Sequence, residues 1–262
     1  MRYDTMLRTA FATMAMLSIS VPPLRAQALT GAAKWADSAR REIDAAALAG
    51  DMNRLAETRT LLDRALATFP EDPMLLHYQG YAIYRMINIA SAGGSSADVS
   101  GYLKLSQDYL ERSIAKRPIA ESYVLLTSIY GREIGADPSQ AQTLGMEIQR
   151  VSAEAAQLGP NNPRVSLVQG MGALFTPPEW GGGPAAAEKL FLKSAEQFAT
   201  DHPVAPAPSW GRGEVYAWLG MVYERTGRKT EAMTAYRKAL DAEPNYPWVS
   251  RVLIPALEKK ER

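Results

Sequence analysis

Cysteine is missing from all 262 residues, and that absence excludes disulfides, thiolate nucleophiles, cysteine-rich zinc sites and a lipid-bearing cysteine. Histidine is nearly as scarce. His77 and His202 are the whole supply, so a multi-histidine metal centre is excluded, and the i+4 neighbour of His77 is Tyr81 rather than a ligand. Charge of one sign is not in excess either: 29 basic side chains face 28 acidic ones, which leaves no electrostatic footprint for nucleic acid. No serine stands in a nucleophile-elbow sequence, and the carboxylates fall mostly at helix starts or on solvated faces, as at Glu71, Asp72, Glu121, Glu188 and Glu231. No catalytic constellation, cofactor motif or metal motif emerges, and the expectation is a protein that is not an enzyme and carries no cofactor.

Long apolar runs are confined to the first residues. Residues 1–9 carry Arg2 and Arg8, residues 10–21 are uncharged and mostly apolar, and Ala26-Gln27-Ala28 supplies the small-x-small pattern of a cleavage site. This is the pattern of an export signal cleaved after Ala28, and Met6 would serve as a start as well as Met1. A membrane-spanning helix needs about 20 apolar residues, and Pro22-Pro23 cuts this run short, so no transmembrane anchor is expected. Removing residues 1–28 leaves 26 basic against 27 acidic side chains, and the mature chain is expected to be a near-neutral exported or periplasmic protein.

What the remainder does have is rhythm. The hexapeptides ALATFP (65–70), SIAKRP (113–118), AAQLGP (155–160) and ALDAEP (239–244) each run from a small residue to a proline five positions on, and FATDHP (198–203) keeps the proline. Pro70, Pro118, Pro160, Pro203 and Pro244 stand 48, 42, 43 and 41 residues apart, an interval that marks stacked supersecondary units. Between prolines, apolar residues recur at three- and four-residue steps and the breaks are rich in Gly, Pro, Asp and Ser, which predicts two helices per unit.

The clearest unit, GEVYAWLGMVYERTGRKTEAMTAYRKALDAEP (213–244), resembles the tetratricopeptide repeat. Tyr216, Leu219, Gly220 and Tyr223 fall on the first helix of that pattern, Gly227 at its turn, and Ala232, Tyr236, Ala239 and Pro244 on the second helix and its end. Earlier units keep the skeleton: Gly80 and Pro118; YVLLTSIY (123–130) in line with YAWLGMVY (216–223); Gly170 with Ala187, Phe191 and Ser194; and, in the first, mainly a second helix ending in Ala65 and Pro70. The expected architecture is all-α, a solenoid of about five helix pairs in one domain over residues 29–262. Its units span about 30–70, 73–118, 119–160, 162–203 and 213–244, and a capping helix covers about 246–260. The intervals exceed the family's 34 residues, a length nearer to that of HEAT-type pairs, and the surplus is assigned to the loops ASAGGSSADVSG, GREIGADPSQ, FTPPEWGGGP and TDHPVAPAPSWGRG.

The resemblance implies a concave groove lined by first helices. On matching positions it would present His77, Tyr81, Tyr84 and Arg85 from the second unit, Arg132 from the third, Met171 and Phe175 from the fourth, and Met221 and Arg225 from the fifth, beside Glu214. Arg85, Arg132 and Arg225 share one position, which suits a ladder for a carboxylate or acidic segment, although the helix dipole alone favours cations there. The aromatic and methionine side chains suit a peptide or a small hydrophobic ligand, or ordinary packing between helices. The lysine and asparagine positions of the family's carboxylate-clamp variety are not matched. FTPPEWGGGP (175–184) lacks the Gly-Lys-Ser/Thr of a P-loop and the strand of a dinucleotide loop. It is expected to be an enlarged turn with Pro184 opening the next helix, and Trp180 is its candidate contact residue. The implied function is a scaffold for another protein or peptide; the alternative is a carrier of a small hydrophobic ligand, in a closed cavity lined by Tyr81, Tyr84, Met171 and Phe175.

Overall fold

The computed structural model describes Leu29, residues 31–92 and residues 99–259. The expected export signal at residues 1–28 lies outside them. The described residues form an all-helical stack of consecutive antiparallel pairs, and among them there is no strand. The pairs are α1 (Gly31–Ala49) with α2 (Met52–Thr68), α3 (Pro73–Ala92) with α4 (Ser100–Lys116), α5 (Ala120–Ala136) with α6 (Ala141–Leu158), α7 (Pro163–Phe175) with α8 (Pro184–Phe198), and α9 (Arg212–Arg225) with α10 (Lys229–Ala242). A π-helical segment, Trp248–Leu253, leads into the short α11 (Ile254–Lys259) that closes the stack.

The small residue that opens each hexapeptide is buried: Ala65, Ser113, Ala155 and Ala239 all sit at the packed face of a second helix. Close approach within a pair depends on a glycine of the first helix. A Cβ added to Gly80, Gly170 or Gly220 would lie 2.7 Å from Leu110, 2.6 Å from Phe191 or 2.2 Å from Tyr236, well inside van der Waals contact. Helix starts follow from their caps: the Asp72 carboxylate accepts from the amides of Met74 and Leu75, and the Asn162 amide oxygen accepts from that of Arg164. Gly227, at φ 77°, makes the left-handed turn that separates α9 from α10.

The first unit is the helix pair expected at about 30–70, with a full first helix, α1, that the sequence pattern hardly marks. One expectation about length is corrected. In the third unit much of GREIGADPSQ is not loop: α5 runs on to Ala136 and a 3₁₀ turn, Pro138–Gln140, joins it to α6. A helical glycine costs only about 1 kcal/mol relative to alanine, so Gly131 and Gly135 are carried within the helix, and Asp137 before Pro138 ends it. The turn after α7 is as expected, with a 3₁₀ turn at Pro178–Trp180 and Pro184 at the first position of α8.

Candidate functional site

The groove positions divide into two halves with opposite fates. In the N-terminal half, α1 and α3 are covered by the connection between α8 and α9 and by α9 itself, and His77, Tyr81, Tyr84 and Arg85 are all buried. Residues 206–210, PAPSW, lie against the α1 and α3 side chains. The Tyr78 hydroxyl donates to the Pro206 carbonyl, and the Trp210 indole stacks on the Tyr81 ring at 5.7 Å and 20°. Arg40 of α1 donates to the Ser209 hydroxyl, which donates in turn to the Asp44 carboxylate at 3.2 Å. Tyr81 donates to the other Asp44 oxygen at 2.9 Å, and the Arg85 Nε donates to the Tyr81 hydroxyl at 2.9 Å.

Arg85 completes the closure. Its two terminal nitrogens grip both oxygens of Glu214 on α9, one contact being 2.9 Å, and its guanidinium lies over the rings of Tyr81 and Trp210. A bidentate pair this deep is geometrically specific, and removing either partner would strand a buried charge. Burial also pushes the Asp44 carboxyl above its ordinary range, against the pull of Arg85. A second anchor holds the start of the connection, where the nearly inaccessible Arg164 pairs with Asp201 at 2.8 Å and lies over Phe198 and Trp210. The expected ladder of three available arginines is therefore corrected. Arg85 is consumed by an internal carboxylate, Arg132 donates to Asn88 at 2.5 Å and to Ser91 at 3.3 Å, and Arg225 alone stands exposed.

A serine and a histidine do meet: His77 Nδ1 is 2.9 Å from the Ser122 hydroxyl. Both are inaccessible, His77 Nε2 has no partner among the described residues, and burial lowers the imidazole pKa to about 3, so the ring is neutral. Without a carboxylate to orient it or a route to solvent, the pair is a structural contact between α3 and α5. Among the described residues no group of three or more His, Asp or Glu is placed to hold a metal, and no helix is long and apolar enough to cross a membrane.

The C-terminal half is open. Phe175, at the end of α7, is 64% exposed, and Trp218 of α9 meets it edge-on at 6.2 Å. Trp218 stacks on Phe191 behind it at 6.3 Å and contacts Trp248 at 6.0 Å, which continues the row to Tyr246. The Arg225 guanidinium lies 5.1 Å from the Phe175 ring centre and forms no ion pair with a described residue. Met171 and Met221 are half-buried on the same two first helices, and Trp180, in the turn after α7, is 77% exposed. The cavity expected between Tyr81, Tyr84, Met171 and Phe175 is not formed, because the tyrosines are sealed inside while Phe175 faces solvent. Sequence reasoning placed Glu214 on the groove but missed Asp44, Tyr78 and Trp210. A tryptophan in a proline-rich connection too long for a turn was the available signal.

Residues 213–246 match the tetratricopeptide repeat family. Two solved structures share the fold along most of the chain. A thermophilic tetratricopeptide-repeat protein of Thermus thermophilus aligns at 19% identity and a TM-score of 0.57, over 79% of this chain and 92% of its own. The HusA haemophore of Porphyromonas gingivalis aligns at 24% identity and a TM-score of 0.53, over 73% of this chain and 94% of its own. No curated protein matches the chain at a significant level.

Proposed function

From a chain that carries a tetratricopeptide repeat at residues 213–246 and the helical solenoid fold of tetratricopeptide-repeat proteins, we propose a non-enzymatic binding protein, a scaffold or adaptor working outside the cytoplasm once residues 1–28 are removed. The observation that carries this reading is the aromatic row of Phe175, Trp218 and Trp248, exposed at Phe175 and partly buried at the two tryptophans, with the unpaired Arg225 over its outer edge. An apolar ring left in water beside an uncompensated cation, backed by two half-buried tryptophans, fits a protein segment that offers an apolar side chain next to a carboxylate. Affinity capture from the envelope extract of the source cells, comparing wild type with a Phe175→Ala/Arg225→Glu variant, tests it. A partner held by wild type and lost from the variant supports the site; equal recovery from both removes it. N-terminal sequencing of the secreted or periplasmic form should begin at Leu29.

A second reading is favoured by one observation: the Porphyromonas gingivalis protein that shares the fold is a haemophore. A small hydrophobic ligand would then lie on the same aromatic row, and titration with haem, followed by Trp218 and Trp248 fluorescence quenching, separates the two readings. Saturable quenching that is lost in Phe175→Ala selects the carrier.

A further inference from the structure

The N-terminal half of the groove is filled, and what fills it belongs to the chain itself. Residues 206–210 are non-helical, proline-broken and rich in small side chains, and they use the floor as a peptide ligand would. A tyrosine hydroxyl takes a carbonyl, an aromatic face takes the tryptophan, and a hydroxyl closes a bridge between Arg40 and Asp44. We propose that residues 206–210 are a cis occupant of a second peptide site on α1 and α3. That site recognises a proline-broken segment bearing an aromatic residue, and a partner segment of this chemistry reaches it by displacing the chain's own. The proposal rests on the groove being a protein-binding surface and names how half of it is regulated.

A segment that was simply core would have its polar atoms satisfied. Here two of the four buried side-chain atoms without a partner among the described residues, Arg164 Nε and Trp210 Nε1, sit on residues of this closure. Each donor or acceptor stranded in this way favours a state in which water or a better-fitting ligand can reach it. Val204, just upstream, is highly exposed, so the connection has an accessible start from which it can peel. The Arg85–Glu214 grip and the Asp201–Arg164 anchor flank the segment on either side and hold its effective concentration high while it is bound.

The probe is a fluorescein-labelled peptide of sequence VAPAPSWG, residues 204–211. Mature wild type should bind it weakly because the site is filled. A Ser209→Gly/Trp210→Gly variant, which weakens the occupant and leaves the floor intact, should bind at least about tenfold tighter in fluorescence polarisation, and adding Tyr81→Ala should abolish the gain. Equal binding to both proteins, or none to a variant that keeps wild-type helix content, overturns the proposal. Hydrogen exchange on unaltered protein tests it even if that variant fails to fold. The amides of Ala207, Ser209 and Trp210 should exchange through local opening, faster than those of buried α3 and α5 residues, and exchange only on global unfolding would make the segment permanent core. Neither measurement uses the Phe175–Arg225 surface, so loss of one site is distinguishable from loss of the other.

Discussion

The two halves of the groove are built from the same helix positions and reach opposite ends. Arg85 and Arg225 occupy the same place in their repeats, yet Arg85 is locked to a buried carboxylate and Arg225 rests over an exposed ring. Nothing local to either arginine decides this. A carboxylate, Glu214, and a tryptophan, Trp210, arrive from elsewhere in the chain to meet one arginine, and no comparable pair among the described residues arrives for the other. Equivalent repeat positions therefore share backbone geometry but not chemistry, which depends on what the superhelix brings across its own axis.

Breaking the closed half should have the largest effect. Arg85→Ala leaves the Glu214 carboxylate buried without a partner and should cost about 3–5 kcal/mol in urea unfolding. Arg85→Ala/Glu214→Ala should recover much of that loss, and additive losses would mean the pair is uncoupled.

Next comes acid. The His77 imidazole has a pKa of about 3 in the folded chain against 6.5 ordinarily, so the unfolded state takes a proton that the folded state refuses. Its contribution is present above pH 6.5 and is lost as pH falls toward 3. By pH 4 the loss should be about 3 kcal/mol. Replacing the contact as a whole, with His77→Leu/Ser122→Ala, should flatten the decline in stability between pH 7 and 4 by that amount. An unchanged slope would mean that His77 is accessible to protons.

On the open side the cost falls to that of one helix pair. Gly220→Ala drives a methyl into the Tyr236 ring and should cost about 1–3 kcal/mol, visible as a lower Tm without loss of helix content. Smallest of all, Trp180→Ala should shift stability by less than about 0.5 kcal/mol, because the residue is mostly in solvent. A large destabilisation there would show that the exposed turn is structural after all.

The pattern of legibility follows the same division. Helix pairing was readable because it recurs: small residues at Ala65, Ser113, Ala155 and Ala239, and glycines at Gly80, Gly170 and Gly220, solve one packing problem several times. The extension of α5 through Gly131 and Gly135 was not, since glycine signals a break more often than a tolerated helical residue. The closure of the groove was not readable either. It joins the second unit to the fifth, whereas periodicity carries information only about adjoining units, so Arg85 and Glu214 each looked like an ordinary groove residue. Phe175, Trp180 and Arg225 stand exposed because no later described segment covers them, an outcome equally invisible to a repeat pattern.

The link between Arg85 and Glu214 spans 129 positions of sequence. A stack of repeats in which each unit touches only its neighbours behaves as a one-dimensional array that can fray from either end, unit by unit. Here the array is fastened near both ends, so the fifth pair cannot fray without tearing the second, and the first two pairs lose part of their cover if the fifth leaves. Denaturation of this chain should be closer to a single all-or-none event than its repeats alone would give, with cooperativity that drops when the fastening is cut.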